Sequence, residues 1–397
     1  MPPTVAQAGK IMNPRPPRID PVGDKNVVRS WVASSYADAR AVLVNASARV
    51  PPNTRPSLET GGGAAHAIVE RGAFLRDLWM WGCEVDRRPQ RHKAGAAALG
   101  PKSIDALAAY LKGNAANLLA DAKQAPEMDL VADFARPLVR DALMELLGIA
   151  PAARASLDTQ VGGMAPFIPG GQSGSTAPYF ALAAVAQAVE NVWAKPLPPL
   201  AGASRALRGA VEAGELTLDE ALAQATLLLF GNSYTTLDAL AGLLSRCAEQ
   251  PLLWRAARDG TCSVAELVEE GLRLGPPTHL ALFRDAADDI QCPGGTIPAG
   301  TRIVLPLDRI NRDPAAFDRP DSFEPGRSGP LHLAFGGGRH MCVGLHLARA
   351  VIRTGVETVL SRLPEWPADT RIVRQPGILG GPSVVSLTVP AGAFHPC

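Results

Sequence analysis

Residues 335–344 read Phe335-Gly336-Gly337-Gly338-Arg339-His340-Met341-Cys342-Val343-Gly344, which puts one cysteine in a glycine-rich loop. A helical pattern follows at once, over residues 343–362. The thiol of Cys342 would then face the unfilled N–H groups of a helix start, a field that favours thiolate and makes an open, anionic metal ligand. Glycines at 336, 338 and 344 remove side chains where a flat cofactor must lie against the backbone. A chain with such a loop has to fold around that surface.

Composition narrows the setting. The 397 residues carry a formal net charge of +1, so no global charge excess points to nucleic acid. There is no run of about 18 apolar residues and no secretory pattern at the start, so the chain reads as soluble, without a membrane span. Cys83, Cys247, Cys262, Cys292, Cys342 and Cys397 are scattered. That spacing argues against a disulfide framework or a zinc site and fits a reducing cytoplasm. Residues 1–25, polar and holding Pro14, Pro16, Pro17 and Pro21, read as an extended arm.

Val27 to Val32 alternates like an edge strand, and Ser34 or Ser35 can cap a helix running to about Asn45. Residues 50–66 read as a Pro/Gly-rich loop. Helical periodicity covers 103–122, 129–148, 179–194, 201–213, 218–248 and 264–274. Residues 151–178, with Gly162-Gly163, Pro166, Pro169 and Gly170-Gly171, read as irregular, a candidate lid. Short strands and turns fill 277–307, and Val384 to Val389 is a last strand. No repeat period is visible.

The loop resembles the haem-ligand loop of the cytochrome P450 superfamily, Phe-Gly-x-Gly-x-His-x-Cys-x-Gly. Every fixed position matches, a coincidence on the order of once in 10⁸ start points at ordinary residue frequencies. The resemblance implies a mainly α fold with small β-sheets. It implies one large haem-containing domain over 26–397, with haem b held by Cys342. Thiolate is the haem ligand that pushes electron density into iron and favours O–O cleavage. Glu270-Gly271-Leu272-Arg273 resembles the family's Glu-x-x-Arg pair, whose side chains share a helix face. Phe317 to Arg327 resembles the meander whose arginine, here Arg327, completes a structural Glu–Arg–Arg cluster. His340 and Arg284 match contacts to the haem propionates, and Phe335, Gly336 and Gly344 the loop around the porphyrin.

Two stretches depart from the pattern. Where an early helix should supply a His and an Arg four apart, the in-register residues of Asp86-Arg87-Arg88-Pro89-Gln90-Arg91-His92-Lys93-Ala94 are Gln90 and Ala94. Arg91 or His92 serves only after a small shift. The central helix, expected to read Ala/Gly-Gly-x-Asp/Glu-Thr-Thr, reads Gly231-Asn232-Ser233-Tyr234-Thr235-Thr236. Thr235 matches the threonine that orders a proton-carrying water. Tyr234 stands in place of the acid, and a phenol with a pKa near ~10 is a poor proton shuttle at neutral pH. Asn232 replaces a glycine, and its amide could hold a water.

By the same resemblance, the substrate wall falls on Trp79 and Trp81, residues 164–180, Leu229 and Phe230, residues 278–282 (with His279 and Leu280), and the turn at Leu379. Two tryptophans among aliphatic residues suit an apolar or aromatic ligand. The expected function is an O₂- and electron-dependent monooxygenase or oxidative-coupling enzyme. It would act on an aromatic or peptide-derived small molecule in specialised metabolism, fed by a ferredoxin and an NAD(P)H-dependent reductase. Two alternatives stand beside it: a haem-thiolate enzyme using peroxide or nitric oxide, and a non-catalytic member that binds or recruits a partner.

Overall fold

A computed structural model describes residues 30–51, 63–81, 88–122, 126–167, 175–277, 282–376 and 382–394. In chain order, strand β1 (Ser30–Val32) leads to helix α1 (Tyr36–Val44) and β2 (Ala48–Arg49). Four helices follow: α2 (Ala64–Asp77), α3 (Arg88–Ala98), α4 (Pro101–Ala122) and, after β3 (Glu127–Asp129) and a π-turn at Leu130–Ala135, α5 (Arg136–Leu146). Then come α6 (Pro151–Gly162), α7 (Ala177–Trp193), α8 (Gly202–Glu212), α9 (Leu218–Glu249), α10 (Pro251–Arg258) and α11 (Val264–Leu274). Strands β4 (Leu282–Ala286), β5 (Ile290–Cys292), β6 (Gly295–Ile297) and β7 (Arg302–Leu305) precede the short α12 (Leu307–Ile310). The chain ends with α13 (Leu345–Arg362), β8 (Arg371–Pro376) and β9 (Pro382–Pro390). The fold is mainly α with small sheets, as the sequence implies.

Local chemistry explains the helix starts. Ser35 caps α1 by accepting from the Asp38 N–H at 3.0 Å. Thr217 and Glu220 form a reciprocal capping box at α9, as Ser263 and Glu266 do at α11. Helix α9 is the longest and is buried along most of its length, because its apolar residues run around the whole circumference. Among the described residues it alone is long and apolar enough to cross a membrane, and 61% of its most apolar stretch lies inside the protein, as in a core helix.

Two cores result. The helices pack into a large one around α4, α5, α7, α9 and α13. The four-stranded sheet β1-β7-β4-β2 builds a smaller one with α1, around Trp31, Leu43, Ile303 and Phe317. Here β1 runs parallel to β7, with Trp31 opposite Ile303. A second sheet orders β3-β9-β8, and β5-β6 is a hairpin.

Three segments differ from the sequence reading. Residues 151–162 are helical: Pro151 sits in the first turn of α6, where its missing N–H costs nothing, and the Gly162-Gly163 pair ends the helix. After it, Ala165–Phe167 form a single 3-10 turn and α7 begins at Ala177, while 168–174 lie outside the described residues. Residues 64–66 open α2 and are not loop, and α10 was unforeseen, its eight residues being too few to show a period. The arm at 1–25 and the start of the Val27–Val32 strand also lie outside the described residues.

Candidate active site

Gly336 and Gly338 take φ of +68° and +62°, turning the loop so that the Cys342 N–H donates to Phe335 O at 3.0 Å. At Gly338 a Cβ would lie 2.3 Å from the Leu43 carbonyl oxygen, so this glycine serves the close approach of α1. Helix α13 starts at Leu345 after an N-cap at Gly344, which places Cys342 before the first turn. The residue is exposed, yet the atoms crowding its thiol push its pKa up, against the Gly344 N–H and the Arg349 charge that pull it down. The helix start alone therefore does not make the thiolate expected from sequence; a bound metal cation would. Arg349 stacks over the Phe335 ring at 4.6 Å and pairs through Nε and Nη2 with Glu269, at 2.6 and 2.8 Å.

A cluster of cationic and imidazole groups gathers beside this loop. Arg88 Nη2 lies 3.0 Å from His340 Nδ1 and donates to Arg339 O at 2.6 Å. Arg284 is buried on β4, its Nη1 donating to Phe283 O at 2.7 Å. Burial, then the charges of Arg284, Arg88, Arg339 and His92, push the His340 pKa down to about 3. His92 is bonded to the Met341 backbone, and its buried Nε2 has no hydrogen-bond partner. A site with this much positive charge beside an open thiol fits an iron porphyrin, whose metal needs an anionic ligand and whose two carboxylates need donors.

Arg91 is not part of this cluster: its Nε and Nη2 bond to Glu220 Oε1 at 3.1 and 2.9 Å, locking α3 to the start of α9. Arg88 is the residue sequence reasoning missed. The signal was there, because Arg88 and His92 are four apart on α3, the expected pair in reversed order.

The structural cluster is assembled as the motifs imply. Arg273 Nε and Nη2 meet both Glu270 oxygens at 2.8 Å, and Arg327 Nε reaches Glu270 Oε1 at 3.2 Å. The two arginines also donate to backbone carbonyls of the meander, with Asn311, Pro320 and Ser322 accepting from Arg273. All three side chains are under a tenth exposed.

On α9, residues 231–235, Asp238 and Gly242 are half-buried while most of the helix is fully buried. Gly231, Thr235, Asp238 and Gly242 recur at helical spacing and form one accessible stripe, and a Cβ at Gly231 or Gly242 would meet nothing within 4 Å. The Thr235 hydroxyl donates to Gly231 O at 2.7 Å, and the Tyr234 hydroxyl to Gly162 O at 3.1 Å. Burial and the charge of Asp158 raise the Tyr234 pKa, against Arg136. The Asn232 amide is engaged between helices. Its Nδ2 donates to Val139 O at 3.0 Å and its Oδ1 accepts from Thr236 at 3.1 Å, so it pins α9 to α5.

Of the expected substrate wall, Trp79 and Phe230 are buried and stacked on each other at 5.3 Å, and the Trp79 indole donates to Thr226 at 3.1 Å. They are core, and support the wall from behind. Trp81, edge-on to both, is 37% exposed and presents the aromatic surface. Phe167 and Tyr179 extend the cluster, with Arg76 over the Phe167 ring at 4.5 Å. His279, Leu280 and Leu379 lie outside the described residues.

Comparison with known proteins agrees. The cytochrome P450 family model matches residues 264–370. A biotin biosynthesis cytochrome P450 of Bacillus subtilis is 26% identical over 337 residues, covering 84% of this chain and 83% of its own. An erythromycin C-12 hydroxylase of Saccharopolyspora erythraea is 29% identical over 72% of this chain and 74% of its own. The crystal structure of P450BioI, in complex with an acyl carrier protein bearing hexadec-9Z-enoic acid, superposes with a TM-score of 0.77. It has 23% identity and covers 93% of each chain, a likeness of fold.

Proposed function

Because this chain belongs to the cytochrome P450 superfamily, of bacterial type and an oxidoreductase of the monooxygenase class, we propose that it oxidises an aromatic or peptide-derived small molecule of specialised metabolism. The observation that carries this reading is the pairing of Cys342 with the cluster of Arg88, Arg284, His92 and His340, in which the buried His92 Nε2 has no hydrogen-bond partner. That pairing suits haem b, with Cys342 as its metal ligand and the cluster holding its carboxylates. When bound, the haem supplies dioxygen activation and electron uptake.

The chain's own residues do the rest. Glu270, Arg273 and Arg327 hold the meander, and with it the cysteine loop, in register. Phe335, under the Arg349 guanidinium, accepts the Cys342 N–H at its carbonyl and so fixes the loop. Thr235, whose own proton is engaged by Gly231, offers hydroxyl lone pairs that accept from a bound water and orient it. Trp81, backed by Trp79 and Phe230, gives an aromatic substrate a face to pack against, and apolar contact there favours binding while few polar groups restrict orientation. Electrons come from a ferredoxin and its NAD(P)H-dependent reductase, in the cytoplasm. Residues 26–397 act as one domain, and 1–25 as an arm outside it.

Reduced protein exposed to carbon monoxide should give the strongly red-shifted band of thiolate-ligated haem, and Cys342→Ala should abolish it. Persistence of the band in that variant rules the assignment out.

A further inference from the structure

The reading above needs protons on the accessible stripe of α9, and neither Tyr234 nor Thr235 is an acid at neutral pH. Both hydroxyl protons are already given to backbone carbonyls, of Gly162 and Gly231. A carboxyl nevertheless stands on that stripe. Asp238 follows Tyr234 by four residues and Thr235 by three, so at roughly 100° per residue its side chain emerges between theirs. Its Oδ2 accepts from the Ser383 hydroxyl of β9 at 3.1 Å.

Asp238 is also joined to the surface. The charge of Arg136, an exposed residue in the first turn of α5, acts on Asp238, on Tyr234 and on Asp158 of α6. Arg140 and Asp141, further along α5, act on Asp158 as well. Arg136 and Asp158 thus stand within electrostatic reach of the face of α9 that carries Tyr234 and Asp238. Burial holds Asp238 up at about 6, with Ser383 and Arg136 pulling it back. A carboxyl titrating near the working pH can both take and give a proton, whereas the raised Tyr234 phenol cannot.

We propose that Asp238 is the proton-carrying group of this site, passing protons through water toward the Thr235 hydroxyl and recovering them from solvent along the Arg136–Asp158 seam. Each proton that leaves Asp238 is replaced by one from bulk water, so its charge is unchanged over a cycle. The proposal rests on the haem-thiolate reading and supplies the acid that position 234 lacks.

The test uses the haem-loaded protein with a plant-type ferredoxin and its reductase as electron source. Asp238→Asn should lower NADPH-supported dioxygen consumption about 10²-fold. It should also raise the H₂O/D₂O rate ratio and remove the limb of the pH profile centred near about 6. Ser383→Ala keeps the carboxyl and the helix but loses the bond that lowers its pKa, so the midpoint should move to higher pH. A readout independent of turnover is thermal stability. The folded-state pKa lies above the ordinary 3.8, so wild-type stability falls as pH rises through about 6 and that of Asp238→Asn does not; the melting-temperature gap should widen with pH. Should Asp238→Asn not fold, Ser383→Ala alone decides. The carbon monoxide band separates the two ideas. If wild type lacks the band, the haem-thiolate reading fails and takes this proposal with it. If the band is present and the variants keep the wild-type rates, isotope ratio and pH midpoint, only the Asp238 assignment is overturned.

Discussion

Glu269 holds two parts of the cysteine side together. It accepts from Arg349 of α13, and its Oε2 lies 3.2 Å from His332 Nε2, just before the glycine loop. Partial burial alone would raise its pKa, but the bonds and charges of Arg349 and His332 outweigh that and hold it at about 2. A carboxylate held below its ordinary 4.5 adds stability above that pH and loses it as pH falls toward about 2. Glu269→Gln should therefore melt below wild type at neutral pH, with the two curves converging in acid. A thermal-shift series across pH checks this. A second residue-scale prediction concerns α9. Thr235→Ala should release more peroxide per NADPH than Tyr234→Phe does, because Phe keeps the ring against Phe230 and loses only a hydroxyl given to Gly162. Equal leakage, measured with a peroxide-coupled dye, would contradict it.

Between elements, Glu270 ties α11 to the meander. Besides two arginines it accepts the Glu324 N–H at 2.8 Å. Glu270→Ala leaves Arg273 buried without its counter-charge, and Arg327 with Glu324 alone at 3.5 Å, a loss of about 3–5 kcal/mol. Soluble, haem-loaded protein should fall in yield before its chemistry changes, and urea denaturation of what remains should show the lower stability. This cluster was legible in the sequence, because an i,i+3 pair and a meander downstream are local patterns. Helix α6 was not: its Pro151 and Gly162-Gly163 look like breakers when read as composition, and only their places at the two ends make them helix boundaries. Arg88 was missed for a related reason. A register counted from a motif counts positions, while the fold selects a face, and Arg88 and His92 share one. Trp79 was misplaced because an indole reads alike on a wall or behind one until Phe230 and Thr226 are seen against it.

Across the molecule, the cations that α13 could offer an acidic electron partner beside the cysteine loop are already paired. Arg349 is committed to Glu269, and Arg353 pairs with Glu357 one turn on. Reduction by a ferredoxin should then depend on salt only weakly, below the roughly tenfold lower end of electrostatic steering. Stopped-flow reduction across ionic strength, with Arg353→Glu alongside, tests this.

The cluster beside Cys342 has another consequence. Its members arrive from separate parts of the chain: Arg88 and His92 from α3, Arg284 from the small sheet, Arg339 and His340 from the loop between the two cores. A group bound among them would touch parts of both cores at once, so its loss would loosen their common seam. Limited digestion should therefore cut the cofactor-free protein along that seam faster than the haem-loaded protein, and comparing the two digests checks this.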